Sequence, residues 1–153
     1  MRWSAARLVL LGVLAGACST ARYPTVAGVL PGGLDAFLAS HPVADGQPVR
    51  VDEVGRSPSA TWHVAQVRTA ETPHRHRLHD LTVFVLRGEG VLTLDGQAIR
   101  LRAGDAAVVP RDRVHWFARR GPEVAVTFVT FTPPLDAPDL VPEPGVDTMG
   151  GRR

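Results

Sequence analysis

The sequence predicts an all-β fold, a small antiparallel sandwich or barrel preceded by one short helix. From about residue 48 to residue 132 the chain consists of short segments rich in Val, Thr and aromatic residues, which favour strands. Gly, Pro and Asp interrupt these segments at regular intervals, and no helical periodicity lies between them. The pair Asp95-Gly96 between two apolar segments is typical of a two-residue hairpin turn. Closely spaced strands without helices between them indicate a sandwich or a barrel.

The individual elements follow from the same patterns. A short helix is expected first, because Leu34, Phe37 and Leu38 share one helical face and the pair His41-Pro42 ends it. Eight strands are predicted at residues 48–54, 60–69, 81–87, 90–95, 97–101, 106–109, 114–119 and 123–132. The Pro- and Gly-rich tail, residues 133–153, is expected to be mostly disordered or draped over the surface.

Length and composition restrict the classes of function. A chain of 153 residues fits one domain with a real hydrophobic core. The net charge is only +2, and the arginines are scattered rather than gathered into a basic stripe. We therefore expect no nucleic-acid partner. A single cysteine, Cys18, excludes an internal disulfide framework.

The N-terminal residues resemble an export signal. Arg2 and Arg7 precede an apolar run that ends in small residues before Cys18, which is the order of a secretory signal peptide. The stretch Leu14-Ala15-Gly16-Ala17-Cys18 resembles the lipobox of bacterial lipoproteins, in which the cysteine is lipidated; the alternative is an ordinary cleaved signal with an incidental cysteine. With Ser19 following, the resemblance implies an exported envelope lipoprotein, periplasm-facing at the outer membrane and bound to the membrane only through its lipid. The predicted divisions are a signal peptide at 1–17, a tether and short helix at 18–47, the barrel at 48–132 and the tail at 133–153.

Histidines are concentrated in one segment. Three of the six lie between residues 74 and 79, and His115 follows near the end of the predicted barrel. In an extended strand His74 and His76 point to the same face, so both imidazoles can reach one ion. Neutral imidazole suits Fe, Mn, Ni, Cu and Zn to different degrees, and such a site needs at least one further ligand. We therefore expect one divalent transition metal, whose identity stays open.

Two segments resemble the two motifs of the cupin superfamily. The first is His74-x-His76, four residues and then Leu81 to Gly88; the second runs from Gly104 through Pro110 to His115. Two motifs in the right order are more specific than either alone. The resemblance covers about residues 60–131 and is to the small single-domain type-2 cupins. It implies a jelly-roll barrel, with His74, His76 and His115 projecting inward as metal ligands.

The departures from the family pattern leave the fourth ligand open. The first cupin motif normally supplies a Glu, and counting back from Gly88 puts Leu81 in that role, which cannot bind a metal. Asp80 is one residue early and would need a bulge or a shorter loop to point inward. Otherwise it is a loop residue that caps a turn or pairs with Arg77. His79, on a loop that can fold over the site, is the alternative ligand.

Two further residues are candidates for a substrate pocket. Trp116 is adjacent to a predicted ligand and is otherwise a wall or rim aromatic. Gln66 can face the pocket by parity with Val64, but parity alone does not choose between the two faces of its strand. His63 is better interpreted as a partly buried structural histidine. Arginines near the mouth, at positions 75, 77, 111 and 113, are compatible with an anionic substrate, although such rims also serve solubility alone.

The sequence supports three classes of function. The first is a metal-dependent enzyme, a dioxygenase or isomerase of a small polar molecule; three-histidine cupins that lack the Glu include thiol dioxygenases. No catalytic residue beyond the metal ligands is identified. The second is a module that binds or senses a small molecule without turnover, and the third is a degenerate structural barrel of the cell envelope. A homodimer is compatible with the family, but no interface pattern is evident.

Overall fold

The computed structural model describes residue 30 and residues 32–146. One helix and ten strands form in chain order: α1 Gly33–Ser40, β1 Val49–Arg56, β2 Thr61–Val67, β3 His74–His76, β4 Asp80–Arg87, β5 Glu89–Leu94, β6 Gln97–Arg102, β7 Ala106–Val109, β8 His115–Arg120, β9 Ala125–Thr132 and β10 Leu140–Pro142. All neighbouring strands pair antiparallel, in a first sheet of order β1-β2-β9-β4-β7 and a second of order β10-β3-β8-β5-β6. The predicted antiparallel jelly-roll fold with a short N-terminal helix is confirmed.

The hydrophobic core lies between the two sheets. Side chains of both sheets meet there, including Val83 and Val129 from the first and Leu92 and Phe117 from the second. On the outer side of the first sheet, Phe37 of α1 packs against Val64 and Val126. The helix therefore covers the face of the sheet that points away from the core, as the spacing of its apolar residues indicates.

The hairpin between β5 and β6 has the predicted turn. Asp95 and Gly96 adopt positive φ angles of 47° and 82°, which a two-residue turn of this kind requires. Asp95 also fixes the start of β8: its backbone N–H donates to the Val114 carbonyl at 2.8 Å, and its Oδ1 accepts from the Val114 N–H at 3.1 Å. The turn thus holds the chain immediately before His115.

Two strands were not among the eight predicted. Strand β3 contains both histidines of the first motif, and β10 lies within residues 133–153, which the sequence predicted to be mostly disordered or surface-draped. That expectation is wrong for Leu140–Pro142, because this segment pairs with His74–His76 as the edge strand of the second sheet. The five prolines of the tail suggested disorder, but an edge strand tolerates a proline such as Pro142, since one side of its backbone needs no partner.

The predicted export signal and Cys18 lie outside the described residues. Within residues 30 and 32–146, no helix has the length and apolar character that crossing a bilayer requires.

Candidate metal centre

The fold brings His74, His76 and His115 together. His74 lies directly opposite His115 in the antiparallel pairing of β3 with β8, and His76 is two residues further along the same face of β3. One ring nitrogen from each residue lies within 4.8 Å of those of the other two. All three side chains are buried, and the ring centroids of His74 and His115 are 4.4 Å apart.

Hydrogen bonds orient each of these imidazoles. The Nδ1 atom of His74 donates to the Thr72 carbonyl at 2.8 Å, and that of His115 donates to the Arg113 carbonyl at 2.9 Å. The Nδ1 atom of His76 donates to the Asp139 carboxylate at 2.7 Å. Because carbonyl and carboxylate oxygens only accept, each Nδ1 carries the proton and each Nε2 keeps a free lone pair. The site is therefore arranged with three free nitrogen donors.

Burial favours the neutral, metal-binding form of His115 and His76. It lowers the pKa of His115 to about 4, against a weaker opposing effect of the hydrogen bond to the Arg113 carbonyl. It also lowers the pKa of His76, although the hydrogen bond with Asp139 acts in the opposite direction. Protons thus compete weakly for at least two of the three nitrogens at neutral pH.

Asp139 is a functional residue that the sequence analysis missed. Its Oδ1 accepts from His76, and its Oδ2 accepts from His79 Nδ1 at 2.6 Å and from the Leu78 backbone N–H at 2.9 Å. Burial would raise the pKa of Asp139, but the hydrogen bonds from the two histidines outweigh it and bring the pKa down to about 2. A charged carboxylate behind a ligating imidazole fixes the tautomer of the ring and strengthens it as a ligand.

The structure does not bring Asp80 to the three histidines. Strand β4 runs without a register shift from Asp80 to Val85, so the bulge that would turn Asp80 inward is absent. Its carboxylate instead accepts from the side chain of Arg111 at 2.6 Å, and this partner lowers the pKa of Asp80 to about 2. The expected alternation is observed at Leu81, which is buried and lines the cavity described below.

His79 is also engaged elsewhere. Its Nδ1 donates to Asp139, and its Nε2 lies 3.1 Å from the Pro134 carbonyl. Both ring nitrogens therefore face oxygen acceptors, and neither is free to bind a metal. His79 thus contacts the C-terminal segment, through Asp139 and the Pro134 carbonyl, rather than joining the three histidines.

A cavity of about 720 Å³ lies next to the histidines. Both sheets line it, and residues 135–140 with Pro142 close one side. Glu71 is also on its wall, half-buried on the connection between β2 and β3, with its Oε2 accepting from the Phe117 backbone N–H at 2.8 Å. Burial raises the pKa of Glu71, although the nearby His74 and this hydrogen bond oppose the rise. Glu71 is thus a carboxyl group suited to proton exchange.

Gln66 and Trp116 do not line this cavity, contrary to the prediction. The Gln66 side chain is on the outer side of the first sheet, where its Nε2 donates to the His41 carbonyl at 2.6 Å. Trp116 is buried, but it lies between two cavity residues of β8, and alternation turns it to the opposite face. His63 has the structural role expected of it, since it is buried, contacts Thr61 and packs edge-on against Phe131.

The donor set fits a divalent transition metal. Three neutral imidazoles with free Nε2 atoms leave coordination positions for a small molecule or water, which is the arrangement of reactive rather than closed metal sites. The carboxylate hydrogen-bonded to His76 and the carbonyl oxygens hydrogen-bonded to His74 and His115 provide the outer contacts that such ligands usually have.

Comparison with known proteins supports this description. The Cupin domain family model matches residues 59–131. An uncharacterized protein of Aquifex aeolicus is 35% identical over 95 residues, which are 62% of this chain and 78% of that protein.

Solved structures show the same fold. The Halomonas protein KdgF is 27% identical with a TM-score of 0.53, covering 56% of this chain and 79% of that one. The Streptomyces nucleoside dehydratase Pac13 is 23% identical with a TM-score of 0.54, covering 63% and 78%. The cupin domain of Schizosaccharomyces pombe Cnp3 is 16% identical with a TM-score of 0.54, covering 57% and 66%. The family model, together with the two motifs and the inward-facing histidines, shows that residues 59–131 are a cupin domain, and the solved structures share its fold.

Proposed function

We propose that this chain is a metal-binding cupin that holds one divalent transition metal on His74, His76 and His115 and binds or transforms a small molecule beside it. The observation that carries the proposal is the set of three Nδ1 hydrogen bonds, which leave the Nε2 lone pairs free in a cluster whose ring nitrogens lie within 4.8 Å of one another. Buried polar atoms need binding partners. The three Nε2 atoms can only accept, and none can donate a hydrogen bond to another, so a cation is the partner that suits all three.

In the first form of this function the protein is a metal-dependent enzyme, either a dioxygenase or an isomerase. A metal of this kind polarises an oxygen of a bound molecule and stabilises negative charge that develops there. Glu71 supports a catalytic role, because a carboxyl group with a raised pKa on the wall of the same cavity is suited to give or take a proton. Asp139 and the backbone carbonyls hold the ligands in position.

The alternative is a barrel that captures or senses a small molecule without turnover. The mostly apolar cavity wall favours this alternative, because such side chains bind a molecule but take no part in its chemistry. A substitution separates the two forms: Glu71→Gln keeps a hydrogen-bonding side chain but cannot exchange a proton as a carboxyl group does, so it should slow a metal-dependent reaction strongly, whereas a barrel without turnover has no reaction for it to slow. A purely structural barrel, in contrast, would bind neither metal nor ligand.

Metal content tests the proposal directly. The full chain is purified in detergent, without chelators or an affinity histidine tag, and its Fe, Mn, Ni, Cu and Zn are measured. We expect close to one ion per chain, lost in the His74→Ala/His76→Ala variant and in His115→Ala. The control is His41→Ala, since His41 packs on Phe37 at the end of α1, away from the site. Equal metal content in all four proteins would contradict the site.

The envelope location is a separate proposal that rests on the N-terminal sequence alone. We propose that Cys18 is lipidated and that the protein faces the periplasm from the outer membrane. Metabolic labelling with palmitate should mark the wild-type chain and not Cys18→Ser, and fractionation should recover the labelled protein with outer membranes. A homodimer is also proposed, and light scattering of the detergent-purified chain measures its mass.

A further inference from the structure

The chemistry of the cavity wall indicates what kind of molecule it accepts. Most of the lining side chains are apolar, among them Val67, Val83, Leu92, Val129 and Phe131. The acidic lining groups are Glu71, which is close enough to His74 to affect it electrostatically, Asp139, which is hydrogen-bonded to His76, and Asp136 at the more exposed edge; the hydroxyl groups of Thr72 and Thr127 also belong to the lining. A ligand in this space therefore buries an apolar body against hydrocarbon and places its polar end near the metal site.

Positive charge is absent from the described lining of this cavity. Three of the four arginines that the sequence suggested for an anionic substrate pair with acidic groups instead. Arg75 Nε lies 3.1 Å from Glu143, Arg111 binds Asp80 and Arg113 Nε lies 3.0 Å from Asp95; the Arg77 residue is exposed. The described residues of the wall thus offer no cationic side chain to an anion that enters the apolar part of the cavity, where an unpaired charge is costly to bury.

We propose that the cavity accepts an uncharged, largely apolar small molecule whose polar end lies between the three histidines and Glu71. This proposal rests on the proposed function and narrows its ligand class, replacing the small polar substrate that the sequence suggested. Glu71 is the group on the wall best placed to distinguish ligands. Its Oε2 is fixed by the Phe117 N–H, and its carboxyl group gives the polar end of the ligand a hydrogen-bonding partner.

Matched pairs of probes test the ligand class. Butanamide, hexanamide and octanamide are compared with butanoate, hexanoate and octanoate, which have almost the same shape but carry a charge. Binding to the full chain in detergent below its micelle-forming concentration is measured by calorimetry at neutral pH, first with the metal removed and then with Zn²⁺ added. In the metal-free protein, affinity for the amides should rise about four-fold for each added methylene. Each amide should also bind at least ten-fold more tightly than its carboxylate.

Substitutions locate the binding in the cavity. Ala65 and Ala70 both line it, the first buried and the second half-buried, so Ala65→Leu and Ala70→Leu each fill part of its volume. Either variant should weaken octanamide binding at least ten-fold. The half-buried position is included because a larger side chain at the buried position 65 overpacks the core and can prevent folding, whereas Ala70 is partly exposed. Ala106→Leu adds the same side chain on the exposed side of β7 and should leave binding unchanged.

The results separate this proposal from the metal assignment. Amide binding that depends on chain length and is lost in the filled variants, in a protein that takes up no metal, would support the ligand class and refute the metal site. Carboxylates that bind as tightly as the amides in the metal-free protein, or affinities independent of chain length, would overturn the ligand class while leaving the metal content to decide the site.

Discussion

Replacing Asp139 with asparagine should disable the metal site without removing any ligand. Three donors converge on this carboxylate: His76 on Oδ1, and His79 and the Leu78 N–H on Oδ2. Asparagine has the same shape but only one acceptor oxygen, so its NH₂ group must face at least one of these donors. If the amide oxygen serves the two donors on the Oδ2 side, the NH₂ group faces His76 Nδ1. The imidazole then accepts at Nδ1 and carries its proton on Nε2, where the metal binds.

The size of the effect follows from this tautomer. Loss of an outer contact of a metal-binding histidine costs about 10- to 100-fold in metal affinity, equivalent to about 1.4–2.7 kcal/mol. The affinity is measured for the full chain by competition with a chromophoric Zn²⁺ chelator, and ¹⁵N NMR of the metal-free protein reports the tautomer of His76. Asp136→Asn is the matched control, because Asp136 is on the same segment but its side chain is 73% exposed and pairs with Arg56.

Two results would refute this reasoning. One is an Asp139→Asn protein whose Zn²⁺ affinity equals that of the wild type. The other is a reduced affinity with the His76 proton still on Nδ1, because the loss would then come from something other than the tautomer. An Asp136→Asn protein that loses affinity equally would show that the segment as a whole, rather than the Asp139 carboxylate, supports the site.

Three further predictions concern stability in acid, the packing at Gly90 and the carboxylate of Asp80, which lies outside the metal site. Burial lowers the pKa of His115 from 6.5 to about 4. Below pH 6.5 the unfolded chain therefore takes up a proton at His115 that the folded, metal-free protein does not. The free energy of unfolding should fall by about 3 kcal/mol as the pH is lowered from 6.5 to 4. Urea unfolding at pH 7 and pH 4.5 should show a smaller acid loss for His115→Gln, and an identical loss would contradict the assignment. Gly90→Ala should cost about 2 kcal/mol or more, because a Cβ at this position overlaps the ring of Phe117; an unchanged urea midpoint would refute the close packing. Asp80→Ala should leave Zn²⁺ affinity unchanged, since Asp80 pairs with Arg111 at the surface, and a weakened affinity in the competition assay would restore it as a ligand.

The sequence was sufficient for the fold and the three histidines because both depend on local patterns. Turn residues such as Asp95-Gly96 have backbone requirements that can be read from residue type alone. The alternation of side chains along a strand places His74 and His76 on one face, and the second motif adds His115 from a different strand. Asp112 has a positive φ of 63° in the turn before His115, a conformation that Gly adopts readily and that Asp also tolerates.

The remainder of the site depends on contacts between distant parts of the chain. Asp139 follows a proline-rich segment and lies more than 60 residues from His76, so no local pattern connects them. The pairing of β10 with β3 creates that contact. Strand β10 was not predicted because the prolines around it favour an irregular segment. Glu71 precedes Thr72 and Pro73 in a segment whose sequence is that of an ordinary loop. Its position on the cavity wall depends on the three-dimensional course of the chain.

Parity explains the two misplaced pocket residues. Along β2, Gln66 lies between the cavity residues Ala65 and Val67, and along β8, Trp116 lies between His115 and Phe117. Strand alternation assigns each to the face opposite its neighbours, but a sequence alone does not state which of the two faces is inward. Applying the parity of His115 to Trp116 would have excluded it from the pocket, whereas Gln66 had no such reference residue.

Anomalous X-ray scattering from crystals of the Zn²⁺-loaded protein tests the central claim most directly. We predict a single strong peak per chain, about 2.0–2.1 Å from the Nε2 atoms of His74, His76 and His115, with Asp139 still hydrogen-bonded to His76 Nδ1. A peak bound to Asp80 or His79, or no peak beside the three histidines in a crystal grown with excess Zn²⁺, would contradict the metal centre and with it the proposed function.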